Sequence, residues 1–585
     1  MVVLGFSGIP NGDLYYRDYG LRFVGHDSSV ALIVDGSVAF SAEEERFSRE
    51  KHTSKLPVNA LREALASSGV KAQDVDVVAY TWSVSLPRLA HMFWNHPFKI
   101  PIRYWPSMGF VGTRVVRDLM WPRRAIGRFA EATGLPRCAW VGVPHHLGHA
   151  SCAYFTSGFE RAAVLTVDGQ GEDESASLGE FDGPRYRHFH SIYSPDSIGI
   201  LYGMITDFLG MRAGWDEYKV MGMSPLGDPA RFASVFDQLV HLRPGGRYET
   251  HRTAMVFRPG YCDQMLSQKL GVSRRNPSEP IGQLHFDIAA GLQANTEKVL
   301  FHLLRHLRKV TPAADLCLAG GVFLNSVANG KIRRSGLFER VHIPPVPGDH
   351  GGALGAAYWA YTSRGGSTKN LGTFSAFCGP EFSDTQIAAA LQTAHEHLDF
   401  RRSSDIVAES TALLSEGQIL GWFQGKMEYG PRALGHRSIL ASPLTAGMKD
   451  IVNARIKHRE PYRPFAGAIP EELADEYFEM DGSSPYMQFV FPVREEAREK
   501  IPAVVHNGTC RVQTVNRKQD PLFHRLLLEF GRRTGVPVLL NTSFNDADEP
   551  IVCSPQDAIR TFLNTDLDAL VLGSWLARKT LVGRE

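Results

Sequence analysis

The sequence predicts a two-part α/β protein, and three observations predict it. Two strand–turn–strand units, each with an acidic residue and a glycine at the turn, recur in the first half as "SVALIVDGSVAFSAEEE" and "AAVLTVDGQGEDESASLGEFDG". Apolar strands also run into Gly-rich turns and then helices, the layout in which α/β folds hold ligands at the carboxyl ends of strands. Finally, 585 residues exceed what one hydrophobic core holds, so the chain divides.

In chain order, "MVVLGFSG" reads as a first strand. The first unit is a hairpin, because β-branched apolar arms flank Asp35-Gly36, a strong turn pair. In the second unit an apolar strand ends at Asp168-Gly169 and its partner runs through Ser175–Phe181, which suggests an internal duplication. "ADLCLAGGVFLNSVANGKI" predicts strand, Gly-Gly turn and helix, and "PPVPGDHGGALGAAYWAY" predicts a Pro/Gly turn entering a helix of small residues. Gly, Ser, Thr and Pro dominate Thr362–Phe382, which reads as a linker. The predicted domains are therefore 1–365 and 401–585, with 366–400 between them; the second opens with a helix, a strand and a Gly-rich turn. Ser85–Arg124 is basic and aromatic. Such interleaving suits RNA, the wall of an apolar acceptor pocket, or a surface insertion.

Composition narrows the class. Apolar content of 43% and charged content of 21% are ordinary for a soluble globular chain. A formal net charge of +1 provides no global field for nucleic acid or an anionic membrane. Seven scattered cysteines without a CxxC pair argue for a reducing compartment and against a thiolate zinc site. "MVVLGFSGIPNGD" lacks the layout of a signal peptide, and no apolar run is long enough for a bilayer, so the cytoplasm is the expected setting.

The chemistry-bearing residues fall in both halves. "VPHHLGHA" places His145 and His149 four apart, on one face of a helix, and leaves His146 on another. Asp168 and Asp349 sit in Gly-rich turns. Two imidazoles with two carboxylates and no thiolate would suit Fe(II), Mn(II) or catalytic Zn(II), although each Asp also reads as a turn residue capping its own backbone. Gly320-Gly321, between strand and helix, offers backbone N–H groups to phosphate, or simply a close-packed turn. Lys219, in "EYKVMGMSPLGDP", is a phosphate or carboxylate partner or a snorkelling surface lysine. In the second half Lys426, Arg432, His436 and Arg437, then Arg455, Lys457, Arg459 and Arg463, then Arg511, then Asn541, Thr542, Ser543 and Asn545 form four segments of anion-binding character. Arginine, lysine and small hydroxyl or amide groups are the usual partners of polyphosphate or acyl phosphate.

"GHDSSVALIVDG", "AEEERFSREKH", "HHLGHA", "VDGQGE", "KVMGMSP", "LAGGVFLN", "GPRALGHRSIL", "RIKHREPYRPFA" and "LLNTSFN" followed by "EPIV" stand in this order. The ordered set resembles the O-carbamoyltransferases of the nodulation, cephalosporin and tobramycin type over nearly the whole chain. The resemblance implies an N-terminal actin/sugar-kinase-like domain, similar to the tRNA threonylcarbamoyl transferase, and a C-terminal YrdC-like α/β domain. It implies that the second domain joins carbamoyl phosphate to ATP with Mg2+, giving carbamoyl-adenylate and pyrophosphate. The first domain would then pass the carbamoyl group to an acceptor hydroxyl and release AMP. On these residues it implies iron, Fe(II), on His145, His149, Asp168 and Asp349, with other divalent metals able to use the same ligands. His26 would take the hydroxyl proton and Asp27 would orient it or act itself, with Lys219 a further catalytic residue near the adenylate. Gly320, Gly321 and Asn325 would cradle adenylate, and Gln293 and Glu297, four apart on a helix, would contact the adenosine. Arg432, Lys457, Arg463, Arg511, Ser543 and Asn541 would bind carbamoyl phosphate and ATP.

The sequence departs from the family at Tyr218, where relatives carry Gly, and at "MSPLG", where "LAPYG" is commoner. Ser85–Arg124 matches no family motif; its Trp94, Phe98, Tyr104, Trp105 and Phe110 suggest a large, partly apolar acceptor such as a polyketide, more than a small sugar, among secondary metabolites of the antibiotic, polyketide or glycoside kind. The expected partner is thus a small-molecule hydroxyl compound, with no nucleic acid and no membrane, and a homo-oligomer is allowed. The alternatives are a tRNA carbamoyl-type modification enzyme, a sugar-kinase-like phosphotransferase and a nucleotide-regulated binding module.

Overall fold

Two five-stranded sheets of identical topology build the first half of the protein. The computed structural model describes residues 1–8, 26–81, 127, 129–135, 138–251, 263–368, 371–372 and 374–580. The segment Ser85–Arg124, with its aromatic residues, lies outside the described residues.

The first sheet contains β1 (Val2–Ser7), β2 (Ser29–Val34), β3 (Ser37–Glu43), β4 (Val77–Tyr80) and β5 (Ala139–Gly142), in the order β3-β2-β1-β4-β5. The hairpin pairs β1–β2 and β2–β3 are antiparallel, and β1–β4 and β4–β5 are parallel. The predicted turn holds Asp35 at φ 48° and Gly36 at φ 87°, two positive values of the kind a two-residue hairpin needs to match strand twist.

The second sheet contains β6 (Arg161–Val167), β7 (Glu174–Asp182) and β8 (Arg185–Tyr193). A separate hairpin, β9 (Val240–Arg243) with β10 (Arg247–Thr250), intervenes before β11 (Asp315–Ala319) and β12 (Arg340–His342). Its order is β12-β11-β6-β7-β8. Taking β6 as its first strand, both order and strand directions repeat those of the first sheet. The duplication suggested by two hairpins is therefore one of whole sheets, the actin/sugar-kinase-like layout.

The strands are apolar because both faces are covered. Leu316, Cys317 and Leu318 of β11 are fully buried, as are Leu32 and Ile33 of β2. Each such leucine or isoleucine stabilises the fold by about 1.5–3 kcal/mol. Helices His145–Ser157 and Gly352–Ser363 approach so closely that a Cβ on Gly355 would collide with the Gly148 carbonyl. This contact explains the small-residue composition of "GALGAAYWAY".

The second half forms one mixed sheet of nine strands: β13 (Leu398–Arg402), β14 (Leu420–Phe423), β15 (Arg437–Ala441), β16 (Ala466–Pro470), β17 (Val490–Pro492), β18 (Thr509–Val515), β19 (Leu539–Ser543), β20 (Ala569–Leu572) and β21 (Trp575–Lys579). Its order is β13-β21-β20-β14-β15-β19-β16-β18-β17. Helices Ile406–Ser415 and Pro521–Thr534 cover it, burying Leu414, Phe523, Leu527 and Phe530 against Trp422 and Leu440.

Contacts divide the chain into Met1–Glu44 with His52–Phe374, and Glu45–Lys51 with Ser375–Glu585. The sequence reading kept residues 1–365 in one domain, so the strap Glu45–Lys51 is a correction. Its reason is polar matching. Arg46 is buried and donates to the Gly430 carbonyl at 2.7 Å. Arg49 donates to the carbonyls of Ile551 at 2.7 Å and Pro550 at 2.9 Å. Among the described residues, no helix is long and apolar enough to cross a membrane.

Candidate active site

His145 and His149 stand on the first turns of their helix because Pro144 starts it immediately after β5. The Glu172 carboxylate accepts the His145 backbone N–H at 3.1 Å, an anion placed at a helix N-terminus. Asp168 follows the last residue of β6, and Asp349 begins the short turn before the helix Gly352–Ser363. The tight crossing of the two helices at Gly148 and Gly355 brings these segments together.

The four side chains converge, with donor atoms all within 4.8 Å of one another. The Nε2 atoms of His145 and His149 are 2.9 Å apart. They lie 3.2 and 2.9 Å from Asp168 Oδ2, and each lies 3.6 Å from Asp349 Oδ1. His145, His149 and Asp349 are buried, and Asp168 is largely so, with 13% of its side chain exposed. Two imidazole nitrogens aimed at one another and at two carboxylates fit a divalent cation, and the absence of thiolate from the set favours a catalytic over a structural role. Without a cation, burial pulls the His149 pKa down, but its bonds to Asp168 and Asp349 prevail and raise it to about 9. Burial likewise pushes Asp168 up, yet the two histidines hold it well below the usual carboxylate range. His146 faces away from the set; its ring nitrogens meet Thr166 Oγ1 at 2.7 Å and the Glu174 carbonyl at 3.2 Å.

Asp27, at a positive φ of 59°, bridges two imidazoles. Its carboxylate oxygens lie 2.7 Å from His26 Nδ1 and 2.7 Å from His52 Nδ1. Burial lowers the His26 pKa, but Asp27, with Asp349 and Asp168 behind it, raises it to about 10. His26 therefore carries a proton in the cation-free site. A cation on Asp168 and Asp349 would offset part of that field and bring His26 toward the range of a base. His52 was missed from sequence, although "REKH" contains it; only the fold sets it opposite His26.

Gly320 and Gly321 abut the same centre. Gly320 has a φ of 98°, and a Cβ there would collide with the Val167 carbonyl. A Cβ on Gly321 would stand 3.0 Å from Asp168 Oδ1. Asn325 caps the helix Ser326–Arg334, accepting the Ala328 N–H at 3.0 Å. Its amide also exchanges hydrogen bonds with Gln293 at 2.7 and 3.1 Å. Gln293 donates to Glu297 at 2.9 Å, and Glu297 pairs with Lys331 at 2.6 Å. Lys219 lies 3.3 Å from the buried Asp216 carboxylate.

The second unit holds a cationic cluster. Lys457 is buried and donates to Asn545 Oδ1 at 2.8 Å, to the Asn545 carbonyl at 2.9 Å and to the Ser543 carbonyl. Burial, then Arg459, Lys51 and Arg463, depress its pKa well below the usual lysine range. Arg511 is depressed in the same way by burial and by Arg432, Arg459 and Arg463, and its buried Nε has no hydrogen-bond partner among the described residues. Cations that repel one another at close range form a site for a multiply charged anion.

Two residues grouped with this set prove internal. Arg437 is fully buried, lies 3.6 Å over the Phe423 ring and donates to the carbonyls of Gln424 at 2.5 Å, Gly425 at 3.2 Å and Cys553 at 3.4 Å. Its donors are used in holding loops, so its place among anion ligands is corrected. Asn541 is also fully buried, and its amide donates to Gln513 Oε1 at 2.7 Å. Sequence reading also passed over Glu428, whose carboxylate accepts the N–H groups of Leu434, His436 and Arg437 at 2.7–3.0 Å and so shapes the "GPRALGHR" loop.

Convergent His and Asp donors in a unit of duplicated sheets, and a cluster of cations in an α/β unit of the same chain, are the equipment of a group-transfer enzyme. Residues 17–358 match the model of the carbamoyltransferase N-terminus and residues 411–579 that of the carbamoyltransferase C-terminus, and the chain belongs to the carbamoyltransferase family. It is 38% identical to the nodulation protein NolNO of Sinorhizobium fredii over 96% of this chain and 80% of that protein. It is 42% identical to the nodulation protein NolO of Bradyrhizobium diazoefficiens over 74% of this chain and 78% of that protein. The protein is an O-carbamoyltransferase.

Proposed function

We propose that the enzyme makes carbamoyl-adenylate in its second unit and carbamoylates a small-molecule hydroxyl compound in its first. The observation that carries this reading is the pairing of a mutually repelling cation cluster with a separate His/Asp centre in one chain. Water cleaves carbamoyl phosphate to carbamate and phosphate. A carbamate oxygen then attacks the α-phosphorus of ATP, and pyrophosphate leaves. Arg432, Lys457, Arg463 and Arg511 neutralise charge as it builds on the departing phosphates, with Ser543 and Mg2+ assisting.

In the first unit, Gly320, Gly321 and Asn325, backed by Gln293 and Glu297, seat the adenylate. Iron(II) on His145, His149, Asp168 and Asp349 would supply Lewis acidity toward the carbamoyl oxygen. The acceptor oxygen attacks the carbamoyl carbon, the bond to AMP breaks, and His26 takes the hydroxyl proton while Asp27 and His52 fix its orientation. The acceptor is a hydroxyl-bearing secondary metabolite; a net charge of +1 gives no field for nucleic acid.

ATP and carbamoyl phosphate should yield AMP and pyrophosphate in the presence of acceptor. ADP as the main product would overturn the reading in favour of a phosphotransferase. His149→Ala should abolish acceptor carbamoylation while retaining most pyrophosphate formation, and equal loss of both would sink the two-site assignment.

A further inference from the structure

A second group of imidazoles lies in the first unit, where the turn of the hairpin β9–β10 packs on the helix Gln283–Val310. Gly246, at φ 66°, sits against His306, and a Cβ there would stand 2.5 Å from the ring. His302, one helical turn earlier, places Nε2 2.9 Å from the Arg243 carbonyl and 3.0 Å from the Arg247 carbonyl, which ties the helix to both arms of the hairpin. His190, on the edge strand β8, faces His306. Their ring centres are 5.6 Å apart, with 56° between the planes.

The ring of His190 donates to the Gly246 carbonyl. Its Nε2 is buried and has no hydrogen-bond partner among the described residues. The donor is therefore Nδ1, and Nε2 keeps a lone pair. His306 makes no hydrogen bond with the described residues. Burial is the first cause that lowers the pKa of both rings. His306, Arg247 and His188 add to it at His190, and His302, Lys309 and Arg247 add to it at His306. Both imidazoles are thus neutral at pH 7, which makes them poor anion partners and ready metal ligands. Zinc sits about 2.0–2.1 Å from a ligating nitrogen, so two rings on one tetrahedral ion have centres roughly 5 Å apart, close to the spacing here. A backbone carbonyl on Nδ1 is also the usual outer partner of a histidine that ligates through Nε2.

We propose that His190 and His306 form a separate Zn(II) site, with Nε2 of His190 and a ring nitrogen of His306 as ligands and water in the remaining positions. Imidazoles without a carboxylate select a borderline transition ion over Mg(II) or Ca(II). Arg247 and Lys309 repel the ion, so this site is weaker than the His/Asp centre. The ion clips β8 to the helix that also carries Gln293 and Glu297, and it does so apart from the transfer chemistry.

The test uses the full chain as wild type, His190→Gln and His306→Gln, with zinc chloride as calorimetric probe at pH 7.5. Wild type should bind one zinc equivalent more than either variant. Both variants should keep the Fe(II) affinity of the His145, His149, Asp168 and Asp349 centre, which separates loss of a ligand from loss of the fold. Zinc-edge anomalous scattering from wild-type crystals soaked in zinc should place an ion about 2.0–2.1 Å from His190 Nε2. Equal zinc stoichiometry in wild type and His306→Gln would overturn the proposal. So would loss of the extra equivalent in one variant and its retention in the other, or zinc scattering confined to the His/Asp centre.

Discussion

His149 and His26 show how much a residue's chemistry depends on its neighbours. Both have an ordinary pKa of 6.5, raised to about 9 and about 10 in the cation-free fold. A group whose folded pKa is raised contributes stability that is fully present below its unfolded pKa and lost as pH rises through the folded value. The chelator-treated enzyme should therefore lose unfolding temperature between about pH 6.5 and pH 10, and His149→Ala should flatten part of that slope. A wild-type profile level across the window would contradict the arrangement. Cation binding must expel the His149 proton, so affinity for Fe(II) should rise with pH over the same range. The i, i+4 spacing made His145 and His149 legible in the sequence. His52 was not, because its pairing with Asp27 spans 25 residues and depends on the turn that follows β3.

At the scale of elements, the small-residue run "GALGAAYWAY" is a packing device. Gly355→Val would drive a branched side chain into the Gly148 carbonyl and push two helices apart. The expected cost is about 1–3 kcal/mol, read by denaturant melts. Because Asp349 stands just before one helix and His145 and His149 on the other, Fe(II) affinity should fall as well. A variant with wild-type Fe(II) affinity would show that the crossing does not position the ligands. The hairpins and Gly-rich turns were readable because Asp35-Gly36 and Gly320 have backbone reasons local to a few residues. Arg437 was misread for the opposite reason. A basic residue beside glycines looks like an anion ligand until the fold surrounds it with the carbonyls of Gln424, Gly425 and Cys553.

For the whole molecule, each unit has its own core and its own ligand chemistry, so each ligand should protect its own unit. Pyrophosphate at a hundred times its dissociation constant should stabilise the second unit by about 2.7 kcal/mol. In hydrogen exchange the amides near Arg432, Lys457 and Ser543 should slow, while those of residues 145–149 should respond to Fe(II) instead. Uniform slowing by either ligand would contradict separate sites. What the sequence determined by itself is what short spacing encodes: the α/β class, the repeated hairpins, one imidazole pair on a helical face, and an ordered motif set that points to carbamoyl transfer. The tertiary structure alone decided the rest. It decided that Asp168 and Asp349 meet the histidines, that Asp27 joins two rings, that Arg437 and Asn541 face inward, and that Glu45–Lys51 belongs with residues far along the chain. Those facts depend on which distant backbone carbonyls and carboxylates compensate a buried charge, and periodicity along the chain carries no record of partners that only packing supplies.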